Sequence, residues 1–211
     1  MNAYALEPGQ FVRSLRASRD TCGRPRMKLL DTVDHVRSLM DDAPYAVIGG
    51  LAQILWARKT HTDDLDVAVA TPDLSRAYDK VRSRRVRGWR LPTPPDEAHE
   101  KDAVFEVYHL QFRGSVVDLI AFRDEALTTE ILETAQAVAE LRGMRFIRPE
   151  LLLVTQLLRP GAIAALAAVE LVLSRRVAGD FDLPYAERWA ARVGRLEHFR
   201  RTIGRADELE R

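Results

Sequence analysis

The spacing of apolar positions changes repeatedly along the chain, and each change marks an element. Over residues 27–40, Leu29, Leu30, Val33, Val36 and Leu39 recur at helical spacing, and Asp42 with Pro44 ends the helix. Ala46, Val47 and Ile48 then form a short apolar run that reads as a strand. It stops at Gly49-Gly50, after which Leu51, Ile54, Leu55 and Trp56 restore the helical period. Residues 64–69 alternate with period two, so Asp64 and Asp66 share one face of a strand while Leu65, Val67 and Val69 share the other. Thr71-Pro72-Asp73 reads as a turn and N-cap for a helix over about residues 74–84. Residues 104–112 and 115–122 read as the arms of a hairpin turning at Arg113-Gly114.

Beyond the hairpin the helical period dominates. Residues 124–140 place Leu127, Ile131, Leu132 and Ala135 on one side, Arg142-Gly143 breaks the pattern, and residues 144–147 form a short strand or an extended link. Pro149-Glu150 opens an apolar helix through Leu158, and Pro160-Gly161 separates it from a second that reaches about Arg175. Asp180 and Asp182 read as a cap for a helix over residues 185–193, followed by a last one over 196–203. The expected fold class is α/β: a small mixed sheet flanked by helices, followed by a C-terminal helical domain. The boundaries are an N-terminal segment at 1–27, the sheet core at 28–123 and the helical domain at 124–211, with the functional cleft between the last two.

Two stretches fit less simply. Arg82, Arg84, Arg85, Arg87 and Arg90 surround Gly88 and Trp89. They read either as a phosphate-tracking patch with Trp89 stacking on a base, or as a solvated helix end with Gly88 at the C-cap and Trp89 opening a strand. The second is the simpler account. Residues 91–103, with Pro92, Pro94 and Pro95, read as a surface loop in which His99 has no partner nearby in sequence.

Composition narrows the class. At 211 residues with a hydrophobic fraction of 46%, the chain can build a real core. Its 32 basic residues nearly balance 31 acidic ones, so a nucleic-acid or membrane partner must be sought in local patches. The apolar stretches of the helical half fall short of the ~20 residues that a bilayer requires. The single cysteine, Cys22, allows no internal disulfide, and the N-terminus lacks the apolar core of a signal peptide, so the cytoplasm is the expected location.

The candidate chemistry lies in residues 45–70. Two carboxylates on one strand face repel each other, and a divalent cation relieves that repulsion. Hard oxygen ligands suit Mg²⁺, with Mn²⁺ as an alternative, commonly together with substrate phosphates. The glycines let backbone N–H groups approach an anion at the N-terminus of the following helix. Asp118 is a charge inside an apolar strand, so it faces either solvent or a cation.

Gly49-Gly50 followed by Thr62, Asp64 and Asp66 resembles the G-G…T-x-D-x-D signature of the nucleotidyltransferase superfamily that includes DNA polymerase β. More narrowly, the stretch is similar to bacterial AbiEii-like and MenT-like nucleotidyltransferase toxins. The resemblance spans about residues 28–203, with its specific part at 45–70. It implies that Asp64, Asp66 and Asp118 hold the metal and act in catalysis. Gly49, Gly50, Thr62, Arg58 and Lys59 would bind the nucleoside triphosphate. A family helix of the form P-E-D-L-I-A-L-K places a lysine near the phosphates; here Gln156 stands at that position, and Ala165 and Ala168 stand where a carboxylate follows on the next helix. Arg159, one turn beyond Gln156, is a candidate substitute.

The implied function is transfer of a nucleoside monophosphate from an NTP to a hydroxyl acceptor, tRNA or other RNA in a toxin–antitoxin setting with a cognate antitoxin as partner. Two alternatives stay open: an antibiotic-type enzyme acting on a small hydroxylated molecule, and a catalytically degenerate nucleotide- or RNA-binding protein on the same scaffold.

Overall fold

The computed structural model describes residues 27–57, 62, 64–92, 98–141 and 143–211. The N-terminal segment with Cys22, the expected nucleotide contacts Arg58 and Lys59, and His61 lie outside the described residues, as do Pro94 and Pro95.

Period-two alternation builds one mixed sheet from eight described strands: β1 (Tyr45–Val47), β2 (Asp64–Val69), β3 (Trp89–Arg90), β4 (His99–Lys101), β5 (Phe105–Phe112), β6 (Ser115–Phe122), β7 (Gln136–Val138) and β8 (Met144–Phe146). Their order is β3-β5-β6-β2-β1-β8-β7, with β4 also pairing with β5. At the centre β2 and β6 run parallel, and their register sets Asp66 directly beside Asp118. Leu65, Val67, Val117 and Leu119 of these two strands are wholly buried. They alternate with the carboxylates and so anchor them from the opposite face.

The helices are α1 (Met27–Leu39), α2 (Gly49–Trp56), α3 (Thr71–Arg82), α4 (Glu125–Thr134), α5 (Pro149–Leu158), α6 (Ala162–Ala178), α7 (Leu183–Arg192) and α8 (Leu196–Leu209). α1, α3 and α4 pack on the sheet, while α5 lies at the centre of the helical half against α6, α7 and α8, with every residue buried. Buried polar bonds lock the two halves together. The Trp56 indole N–H donates to the Ile147 carbonyl at 2.8 Å, and Gln53 Nε2 donates to the Ala167 carbonyl at 2.7 Å. Within the helical half, Glu150 accepts from Arg148 at 3.2 Å and from the backbone N–H of Asp182 at 3.0 Å. No described helix is long and apolar enough to cross a membrane.

Several boundaries differ from the sequence expectations, for identifiable reasons. The helix expected over 124–140 stops at Thr134, because the Arg145 guanidinium donates to the carbonyls of Leu132, Glu133 and Ala135, capping the last turn of α4 from a neighbouring strand. The chain then pairs as β7 with β8 and extends the sheet past β1. α3 starts at Thr71 rather than Leu74, and Asp73 pairs with Arg76 at 3.0 Å instead of capping. Part of the expected 91–103 loop is β4, where His99 stacks on Tyr108 at 4.4 Å and bonds Glu106 at 3.0 Å; it is a partnered residue. Trp89 packs on Phe112, ring centroids 5.0 Å apart, in keeping with a strand at the end of the arginine run. α6 and α8 run past their expected ends.

Leu65 fills the core beneath the two carboxylates of its own strand. Leu65→Ala is expected to cost about 2–5 kcal/mol, read as a lower urea midpoint; an unchanged midpoint would contradict this packing.

Candidate active site

Between β1 and α2 the chain must turn immediately above β2, and Gly49 makes the turn at φ +56°. A Cβ on Gly49 would stand 1.9 Å from Asp66 Oδ2, so the missing side chain is what gives this carboxylate its place. The Gly50 N–H donates to Asp66 Oδ2 at 3.1 Å. Ile48, at the N-cap, supplies no side-chain bond, and the buried anion at the start of α2 is Asp66 itself. The two glycines therefore serve an internal anion before any ligand.

Asp64, two residues earlier on the same face, is held by Thr62, whose hydroxyl donates to Asp64 Oδ1 at 2.6 Å. Asp118 arrives from β6 through the parallel register. One carboxylate oxygen from each of Asp64, Asp66 and Asp118 lies within 4.8 Å of the others, a set that could hold a metal ion. Behind Asp118 stands His109 of β5, whose Nδ1–H donates to Asp118 Oδ1 at 2.8 Å. This pairing fixes the tautomer, since an ionised carboxylate only accepts.

The electrostatics are those of crowded anions. Burial, followed by the neighbouring Asp64 charge, pushes Asp66 up to about 6; the Gly50 N–H and the more distant Arg159 cation pull the other way. Burial likewise raises Asp118, against the hydrogen bond and charge of His109. Mutual repulsion and burial leave the cluster short of positive charge, and its donors are all hard oxygens, so the residues fit a divalent cation.

α5 closes the site from above. Gln156 and Arg159 border a cavity of about 130 Å³ over Asp66, Asp118 and His109. They also border a cleft of about 520 Å³ that shares Gly49 and Asp66 with the cavity and runs between the Gly49-Gly50 turn and Ile163 and Leu166 of α6. Asp64, Asp66, Asp118, Gly49, Gly50, Thr62 and Gln156 thus converge as the sequence suggests, and Arg159 joins them. His109 is the residue that sequence reasoning misses. The signal was available: in a hairpin that pairs Phe112 with Ser115, counting outward sets His109 opposite Asp118. Gln53 is also missed; its carbonyl oxygen is buried without a partner, and no local pattern announces that.

Two substitutions test this construction. Gly49→Ala adds a β-carbon against Asp66 at a left-handed position, and a loss of about 3 kcal/mol or more is expected. Gly204→Ala, in open space on α8, serves as the control and costs nothing. For Asp66 the folded-state value of about 6 lies above the ordinary 3.8, so the folded protein holds the extra proton between those values and stability falls as pH rises through that window. Asp66→Asn in a chelator should therefore raise Tm at pH 7.5, by an energy on the order of 3 kcal/mol, and the two proteins should converge near pH 4. A gain of equal size at both pH values would show that the burden is not ionic.

No family model and no curated protein sequence matches this chain. Among solved structures it is similar to that of ANT(2")-Ia in complex with adenylyl-2"-tobramycin, at 11% identity and a TM-score of 0.47, over 78% of this chain and 95% of that one. It is also similar to JHP933 from Helicobacter pylori, at 14% identity and a TM-score of 0.43, over 77% of this chain and 71% of that one.

Proposed function

We propose that the protein is a metal-dependent nucleotidyltransferase that moves a nucleoside monophosphate from an NTP to the hydroxyl of an RNA end, tRNA foremost. The observation that carries this reading is the Asp64–Asp66–Asp118 cluster, its oxygens within 4.8 Å of one another, with Asp64 and Asp66 lining the cleft and Asp118 the adjoining cavity. These three would hold Mg²⁺ or Mn²⁺, which when bound supplies charge stabilisation to the phosphoryl oxygens of an in-line displacement.

The chain's own residues account for the remaining requirements. The triphosphate lies along the 520 Å³ cleft beside Gly49 and Gly50, where the N-terminus of α2 favours anions. Arg159 supplies the positive charge that Gln156 lacks, and Arg58 and Lys59 are assigned to the same phosphates by resemblance. Asp118, oriented by His109 and raised by burial, takes the proton of the attacking hydroxyl. The hydroxyl oxygen bonds to the α-phosphorus as the bond to the bridging oxygen breaks, and pyrophosphate leaves. In a toxin–antitoxin setting in the cytoplasm, expression would arrest growth in an Asp64-dependent way and a cognate antitoxin would be the partner.

A second reading, nucleotide or RNA binding without turnover, draws on Gln156 at the lysine position and on Ala165 and Ala168 in place of a carboxylate. One experiment separates the two. The protein is incubated with Mg²⁺, each α-labelled NTP in turn, and total RNA mixed with protein. Label is expected in RNA with one NTP, and Asp64→Ala should lower it at least about a hundredfold. Absence of label together with nucleotide binding in calorimetry would overturn transfer to RNA and leave either the second reading or transfer to a small hydroxylated molecule.

A further inference from the structure

The cavity over Asp118 does not end there. It continues into a groove of about 640 Å³, the two sharing Phe105, Gln156, Leu158 and Arg159. The cleft bordered by Gly49 and Gly50 shares Gln156, Arg159 and Pro160 with the groove, so the two adjoin at the end of α5. A molecule that follows the groove into the cavity reaches Asp118 and His109, which border the cavity and not the Gly49-Gly50 cleft.

α8 forms the wall of this groove. Arg195, His198, Arg201 and Arg205 recur every three or four residues and so share one helix face on the groove. Among the described residues Arg159, Arg195 and Arg201 have no carboxylate partner, and the exposed Arg205 pairs with Glu208 at 2.8 Å. Arg195 sits at the N-cap of α8, where the helix dipole disfavours a cation. The acidic residue on the groove is Asp102, and its carboxylate is already committed to the backbone N–H groups of Val104 and Phe105. The floor is apolar, with Leu157, Leu158 and Val169, and half-buried Phe105 stands where the groove meets the cavity. In a chain of net charge +1 this concentration of cations is local and calls for a local reason.

We infer that the α8 groove holds the phosphodiester backbone of a single nucleic-acid strand and leads its terminal hydroxyl to Asp118. The inference rests on the transfer reading, since it supplies the acceptor of that reaction. A cationic wall with an aromatic ring beside it is how single strands are held without sequence readout: the wall neutralises phosphates and the ring stacks on a base. The ten steps from Arg195 to Arg205 rise about 15 Å along the helix, long enough to meet successive phosphates of one strand. A polycationic aminoglycoside would meet like charge along the whole wall. An acidic peptide would satisfy the arginines but leave Phe105 without a stacking partner.

The test compares the full chain with Arg195→Glu/Arg201→Glu. The probes are fluorescein-labelled RNA and DNA single strands of one sequence with a free 3′ hydroxyl, and polyglutamate. Anisotropy is followed across salt concentrations, with NTP calorimetry and label transfer to the oligonucleotide alongside. The wild-type slope of log K against log salt should lie at about −2 to −3, near −0.7 per phosphate. The variant should bind either strand at least about tenfold more weakly, with a slope shallower by about 1.4 for two lost contacts, while NTP binding and Tm stay unchanged. Arg195→Gln/Arg201→Gln should fall between them. Tighter binding of RNA than DNA would identify a ribose contact; equal binding would mean that the backbone alone is read. Unchanged oligonucleotide affinity and slope in the variant, or polyglutamate bound as well as the strands, would overturn the inference. If the variant loses strand binding while the wild type transfers no label, the groove stands and the transfer reading falls.

Discussion

Everything at this site depends on placing Asp66, a buried carboxylate, against a backbone that has no room for a side chain. Gly49 yields the space, the Gly50 N–H supplies a direct hydrogen bond, and the start of α2 supplies a favourable dipole. Those contributions do not balance the cost of burial beside Asp64 and Asp118, and Asp66 accordingly sits near 6. A fold meant only for stability would place an apolar residue here, because a buried charge without a full partner is costly and a well-packed hydrocarbon is not. The surrounding architecture holds this expense in place. Leu65 and Val67 pin the strand from below, Thr62 fixes Asp64, and the parallel pairing of β2 with β6 forces Asp118 alongside.

That constraint explains why the helical half docks where it does. α5 is buried along its whole length, yet its last turn opens onto the carboxylates through Gln156 and Arg159. Arg159 is exposed, so its charge is partly screened by solvent and offsets only a fraction of the repulsion. A guanidinium buried in direct contact would neutralise the cluster and remove its appetite for a cation. Keeping the arginine at the rim of the cleft leaves the acidic set available while presenting positive charge to an incoming anion.

Much of this was legible in the residues themselves, and what was not has a common cause. The turn at Gly49-Gly50, the shared face of Asp64 and Asp66 and the hairpin around Arg113-Gly114 follow from local period and turn chemistry, so they could be read without a structure. Asp118 was legible as a charge out of pattern. His109 was within reach once hairpin pairing was assumed, because register is arithmetic. By contrast, the end of α4 is decided by Arg145 reaching back from β8, and β4 exists because β5 offers it an edge. Both are long-range contacts that no window of sequence contains. The unpartnered Gln53 carbonyl belongs to the same class: its amide is committed to Ala167, more than a hundred residues away.

The cleft beside Asp66 and the groove along α8 differ in character, and the difference follows from which elements border them. Gly49-Gly50 and the N-terminus of α2 face one opening, where backbone N–H groups and a helix dipole can meet a compact, highly charged group. The other is bordered by the face of α8, where cations are strung along some 15 Å of helix and can meet charge only if it is similarly extended. A fixed array of arginines gains little from a small neutral or cationic acceptor, since unpaired like charges repel and none of their hydrogen-bonding capacity is used. It gains with each evenly spaced anion that displaces counterions along its length. Gln156 and Arg159 stand where the two openings meet, and they also border the small cavity that holds Asp66 and Asp118. In the proposed transfer the compact anion and the extended one would reach these carboxylates through different openings.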